Sequence, residues 1–210
     1  EATTTAAVSA GPVGVVWPAE GSTAVYEATT WEGTTFDVVA SFENGVEYMG
    51  GEWTAFSFGD PEVDDEALVV YLDVSEPGIV VFKGMVGHTA TLPEGQAQTE
   101  WYEDPLVLDF FALMAGSIRH EAPFYLTFTG DREFGDDMWV ESTLVDLNAT
   151  VESPMGPVDG NFHVSNEIGG PYIGGDTSFT HDVWFHPTYL VSRVTEMPVF
   201  SDLVVKEGWG

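Results

Sequence analysis

Phe36-Asp37-Val38-Val39-Ala40-Ser41-Phe42 decides how this chain is read. Phe36, Val38, Ala40 and Phe42 alternate with Asp37, Val39 and Ser41, which is the period of two of a half-buried strand. Asn44-Gly45 follows, a pair that tolerates the positive φ of a tight hairpin turn. Trp53-Thr-Ala-Phe-Ser-Phe58 then supplies the returning strand and stops at Gly59-Asp60-Pro61. Two apolar runs, 67–74 and 78–86, flank the turn Ser75-Glu76-Pro77-Gly78. Further strands are expected over 124–129, 138–151, 161–167, 177–186, 189–196 and 203–207. Many short strands with Gly/Pro punctuation specify an all-β class, expected as a strongly curved antiparallel sheet or half-open barrel.

One segment departs from this pattern. Asp104-Pro105 precedes Leu-Val-Leu-Asp-Phe-Phe-Ala-Leu-Met-Ala115 and then Gly116. An N-cap carboxylate, a proline at the first helical position and a glycine beyond the last turn predict a short helix over 105–116. Leu106, Phe110, Leu113 and Met114 share one side, and Val107, Leu108 and Phe111 make the rest apolar. A helix greasy nearly all round is expected inside the curved sheet. The Thr/Ala/Ser run over 2–10 reads as part of a polar tether, residues 1–11, and such a start suggests an exported protein. Residues 12–210 are expected to form one sheet domain, with the Gly/Pro-rich stretches 154–160 and 169–175 as loops within it.

Charge limits the partners. Thirty-five Asp and Glu face five Lys and Arg, a formal net charge of −30 on 210 residues. Lys83, Lys206, Arg119, Arg132 and Arg193 cannot build a phosphate-tracking groove, which excludes sequence-independent nucleic-acid binding. An anionic membrane surface repels such a chain as well. Disorder is excluded too, because 44% of residues are hydrophobic, among them 14 Phe, 7 Trp and 7 Tyr. No apolar run is long enough for a membrane-spanning helix. Self-repulsion of this size is relieved by salt, so a saline milieu is the expected setting.

Catalytic chemistry finds no foothold. Cysteine is absent, which removes disulfides, zinc-thiolate sites and thiol nucleophiles. There is no Gly-x-Ser-x-Gly elbow and no phosphate-cradling glycine loop. His120-Glu121 lacks a second histidine four residues on, and Pro123 breaks any zincin helix. His181 and His186 share a strand at an odd offset, which puts them on opposite faces. Two acidic clusters stand out: Asp60, Glu62, Asp64, Asp65 and Glu66, and then Asp131, Glu133, Asp136 and Asp137. The second, flanked by Gly130 and Gly135, is a weak candidate for Ca2+; neither has EF-hand spacing, and a solvated acidic loop is the simpler account. No other cofactor is called for. Asn148-Ala-Thr150 is a glycosylation sequon on the polar face of its strand.

The second half resembles a family. Ala149-Thr-Val-Glu-Ser-Pro154, the turn Met-Gly-Pro-Val-Asp-Gly160 and Asn161-Phe162-His163-Val164 are similar to a hairpin of secreted curved-sheet lipoproteins. Asp182-Val-Trp-Phe-His-Pro187 followed by Tyr189-Leu-Val191 is similar to their aromatic–proline turn and return strand. Asp104-Pro105-Leu106 resembles the start of the inner helix of LolA- and LppX-like carriers. The resemblance covers roughly Trp101 to Glu196, departs at Thr188-Tyr189 where a glycine is usual, and carries over no catalytic residue. It implies a bent antiparallel sheet around a helix, often holding a lipophilic molecule.

The function expected from these readings is an exported, non-enzymatic binding domain holding a lipid or lipopeptide in an apolar cavity. The expected lining is Trp53, Phe56, Phe58, Phe110, Phe111, Met114, Trp139 and Trp184. Two other classes stay open: a structural component of the cell surface with an acidic, salt-adapted coat, and a secreted hydrolase or carbohydrate-binding protein.

Overall fold

A computed structural model describes residues 17–60, 64, 66–90, 92, 96–128, 132–170 and 178–210, the side chains of 132–136 excepted. The tether read over 1–11 lies outside the described residues. Twelve strands follow one another as a meander. They are β1 (Thr23–Thr30), β2 (Thr35–Tyr48), β3 (Gly51–Phe58), β4 (Ala67–Asp73), β5 (Ile79–His88) and β6 (Gln98–Asp109). After a four-residue helix, α1 (Phe110–Leu113), come β7 (Ile118–Phe128), β8 (Arg132–Ser153) and β9 (Gly156–Gly169). The set ends with β10 (Ser178–His186), β11 (Leu190–Thr195) and β12 (Phe200–Glu207). Every strand pairs antiparallel with its sequence neighbours, and β1 pairs with β12, so the sheet is a closed barrel.

The all-β class expected from the sequence is present, but the half-open form is not. Closure rests on β1, whose Ala24, Tyr26 and Ala28 point inward while Val25, Glu27 and Thr29 point outward. Tyr26 is fully buried and its hydroxyl donates to the Val191 carbonyl at 2.6 Å, tying β1 across to β11. Its neighbours inside the barrel, Phe58, Phe200, Leu190, Leu203 and Val205, leave almost nothing exposed. Residues Ala24, Ala28 and Ala40 are the small partners that let these large side chains fit. The β1–β2–β12 side of the barrel is thus packed solid.

The expected helix over 105–116 shrinks to four residues. Leu106, Val107 and Leu108 continue β6 and pair with Phe82, Val81 and Val80 of β5. The apolar β5 needs a ladder partner, and Leu-Val-Leu alternates as well for a strand as for a helix. Asp109, rather than Asp104, is the N-cap, its Oδ1 accepting from the amides of Phe111 and Ala112 at 2.9 and 3.1 Å. Pro105 sits in a bulge between the Phe82–Leu106 and Gly84–Trp101 pairs, where a missing N–H costs nothing. Lys83 closes this bulge from β5, donating to the carbonyls of Tyr102 and Glu103 at 2.8 and 3.0 Å.

A second correction concerns Asn44-Gly45. The pair is a bulge within β2, and the hairpin turns five residues later at Met49-Gly50, both with positive φ. Gly45 uses its left-handed φ of 71° for the bulge, so the local signal was real but served a kink. Asn44 is held there by the Thr54 hydroxyl, which donates to its side-chain oxygen at 2.9 Å.

Candidate functional site

The barrel is packed at one end and hollow toward the other. At the floor, Trp17 stacks on Phe42, Phe110 meets Phe185 edge-on, and the Trp209 indole donates to the Tyr189 carbonyl at 3.0 Å. Leu113 of α1 adds a further buried side chain. Above this floor lies a cavity of about 560 Å3 between the β3 to β11 walls. Phe56, Phe58, Val70, Leu72, Phe82, Met85, Leu106, Phe124, Val140 and Phe185 supply much of its apolar wall. That volume lies in the range of small-molecule sites.

The opposite end is the mouth. Trp31, 52% exposed in the β1–β2 turn, and Phe179, 40% exposed on β10, both line the cavity and face solvent there. The Trp31 indole donates to the Met197 carbonyl at 3.0 Å, which fastens the β1–β2 turn to the β11–β12 turn. Met197 and Pro198 complete this rim.

Polar groups in the lining gather near the mouth. Gln98 and Glu100 lie at the start of β6, His181 near the start of β10, Asn166 near the end of β9, and Glu196 just beyond β11. The Gln98 side-chain amide donates to one oxygen of Glu100. Burial pushes the Glu100 carboxyl up to about 7, opposed by that hydrogen bond. The His181 Nδ1 lies 2.7 Å from the Thr195 carbonyl, which fixes the proton on Nδ1 and leaves Nε2 as the acceptor. Burial lowers the imidazole below its ordinary range, so the ring is neutral at pH 7. Asn166 accepts from the Ser142 hydroxyl at 2.6 Å and donates to the His181 carbonyl at 3.2 Å, locking that part of the wall.

Of the lining residues expected from sequence, Phe56 and Phe58 border the cavity. Phe110 is buried in the floor. Phe111 and Met114 point away from the barrel, 57% and 48% exposed. The three tryptophans expected inside stand on the outer face. Trp53 covers Gly51 and donates to the Tyr48 carbonyl at 3.0 Å. Trp139 lies over Gly169 with the Arg119 guanidinium 4.3 Å from its ring, and Trp184 stacks on His163 at 4.2 Å. Strand parity explains the correction: each sits one residue out of step with its inward neighbours Thr54, Val140 and Phe185.

Trp17, Trp31, Gln98, Glu100, Asn166 and His181 were not singled out from sequence as lining. The available signal was Gln98-Thr-Glu-Trp-Tyr102, whose alternate members Gln98, Glu100 and Tyr102 all face the cavity. His181 and His186 do take opposite faces of β10, His186 lying 3.0 Å from the Asp159 carbonyl.

Among the described residues no three His, Asp or Glu side chains converge to hold a metal ion. Asp64 and Asp60 tie their own loop, the Asp60 amide donating to Asp64 at 2.6 Å, and Glu66 accepts from Thr89 and Ala90. Asp131 lies outside the described residues, as do Glu62 and Asp65. Glu133 and Asp136 belong to β8, paired with Thr127 and Phe124, and Asp137 is exposed opposite Pro123. Asn148 of the sequon is exposed.

On the outer face three of the five cations, Arg193, Lys206 and Arg119, are engaged. Arg193 forks onto Asp202 at 2.9 and 3.0 Å, Lys206 holds both oxygens of Asp37 at 2.7 Å, and Arg119 bonds Glu121 at 2.8 Å. No helix in the described residues is long and apolar enough to cross a membrane. Compared with family models, curated proteins and solved structures, the chain matches none.

Proposed function

We propose that this chain is a non-enzymatic binding domain that carries a lipophilic molecule inside its barrel. The observation that carries the reading is the cavity of about 560 Å3, walled by Phe, Leu, Val and Met and floored by Trp17. An apolar cavity this large loses the packing that a filled core would have, and an apolar guest restores it. The alternation of charged residues outside with apolar ones inside is the reverse of a membrane-spanning barrel, so the guest belongs within.

The neutral fluorophore N-phenyl-1-naphthylamine tests this directly. Wild-type protein takes it up saturably with a rise in emission. Val183→Trp, which fills the cavity from β10, weakens uptake by about tenfold or more, corresponding to roughly 1.4 kcal/mol. Val145→Trp, on an exposed position of β8, leaves uptake unchanged. Absence of saturable uptake by the wild type, or equal uptake by Val183→Trp, overturns the reading.

We also propose a saline working medium. Thirty-five carboxylates face five cations, and those cations whose side chains are described already have partners. The unfolding midpoint is expected to climb from dilute buffer to about 1 M salt, where the Debye length falls to about 3 Å. A flat midpoint across the series contradicts the proposal.

A further inference from the structure

The cavity is not uniform along its axis. Toward the floor its wall is Leu72, Val80, Leu108, Phe185, Leu190 and Val191. Toward the mouth the wall gains Gln98, Glu100, Asn166, His181 and Glu196. Such a gradient suits an amphiphile seated tail inward, with its polar head among the mouth-side groups.

The chemistry of that head is restricted by what the wall offers. No lysine or arginine lines the cavity among the described residues. The nearest cation along β5 and β6, Lys83, is occupied by the carbonyls of Tyr102 and Glu103. Asn166 is already bonded at both ends of its amide, and the Gln98 amide is turned onto Glu100. The donors left to the cavity are all uncharged, the Tyr102 hydroxyl and the second N–H of the Gln98 and Asn166 amides, while the acceptors are the Nε2 lone pair of His181, the second oxygen of Glu100 and, at the rim, the Glu196 carboxylate. A carboxylate or phosphate head entering here loses its water, finds no cation and meets a carboxyl group. A hydroxyl donates to these acceptors without bringing a negative charge.

We infer that the barrel selects amphiphiles whose head donates hydrogen bonds and carries no negative charge, a long-chain or isoprenoid alcohol being the simplest, with Glu100 and His181 as the acceptors. This rests on the carrier reading above and names the class of its cargo.

Competition against bound N-phenyl-1-naphthylamine tests it, with farnesol and farnesoate as displacers of matched tail. The measurement is made at pH 8, where both the Glu100 carboxyl and farnesoate are ionised, and in about 1 M salt, which screens the field of the distant carboxylates. Farnesol is expected to displace the probe with a Kd lower than that of farnesoate by about tenfold or more. Glu100→Gln tightens farnesoate and narrows the ratio to about threefold or less, since the buried like charge is gone. His181→Phe weakens farnesol by about fivefold, the size of one hydrogen bond of about 1 kcal/mol. Equal displacement by the two compounds from wild type, or a ratio unmoved by Glu100→Gln, overturns the selectivity while leaving the carrier reading in place. Failure of the probe itself to enter overturns the carrier reading, and this inference with it.

Discussion

Glu100→Gln is expected to stabilise the protein at pH 8 by about 3 kcal/mol. The carboxyl stands in an apolar wall, with Met85 beside it on β5 and Leu126 on β7. Burial raises it from an ordinary value of 4.5 to about 7, so the native state holds a proton that the unfolded chain has released between those limits. Stability contributed by this group is therefore fully present below about pH 4.5 and is lost as pH rises through about 7. Each tenfold change in acidity is worth about 1.4 kcal/mol, which gives the expected figure. Glutamine keeps the shape and still accepts from Gln98, but has no charge to desolvate. Urea unfolding of the two proteins in parallel checks this, because the general repulsion among the other carboxylates is common to both. The difference is expected to shrink to under about 1 kcal/mol at pH 5. A difference independent of pH contradicts the account.

Asn161→Ala is expected to destabilise by about 3–5 kcal/mol, more than most single replacements. Asn161 is completely buried at an irregular stretch of the β8–β9 pairing. Its amide nitrogen donates to the carbonyls of Ala149 and Val158 at 3.0 and 2.6 Å, and its oxygen accepts from the Ser192 hydroxyl of β11. Alanine strands two carbonyls away from water, each costing about 1–3 kcal/mol, and leaves the Ser192 hydroxyl only the Trp184 carbonyl at 3.3 Å. Ser192→Ala removes the third contact together with the longer 3.3 Å contact of the same hydroxyl to the Trp184 carbonyl, and is expected to cost about 1 kcal/mol, which makes it the internal comparison in the same urea titration. Equal effects of the two replacements contradict the hub role given to Asn161.

The sheet was legible where inward residues were apolar and outward ones polar, as over 36–42 and 53–58. It was illegible at the two strands that break that rule. β1 carries alanines on its inward face, and β6 carries Gln98 and Glu100 on its inward face, so neither shows a clean alternation. Without β1 the closing pair with β12 is invisible, and a closed barrel reads as an open sheet. The same loss hid the polar part of the cavity, because Glu100 lies on the strand that was missed. Asp104-Pro105 misled for a related reason: cap chemistry is local, whereas the choice between strand and helix for Leu106–Leu108 was made by β5. Phe56 and Phe58, expected as lining because they are large and apolar, also have the inward parity of β3 and border the cavity. Trp53, Trp139 and Trp184 were misplaced because size suggested burial inside, while glycines on neighbouring positions let Trp53 and Trp139 lie flat outside.

Closure through β1 and β12 also bears on how the barrel is assembled. Eleven of its twelve pairings join neighbours in sequence and zip with short loops, while the twelfth joins strands separated by the whole meander. Until that last seam forms, the sheet is a ribbon with two unsatisfied margins and a bare aromatic concavity, the state most prone to join another copy of itself. Once it forms, no strand margin is left for a neighbour to extend. In dilute buffer, where it is unscreened, the heavy negative charge then gains a second meaning: it keeps unfinished chains apart during the interval before the seam is made.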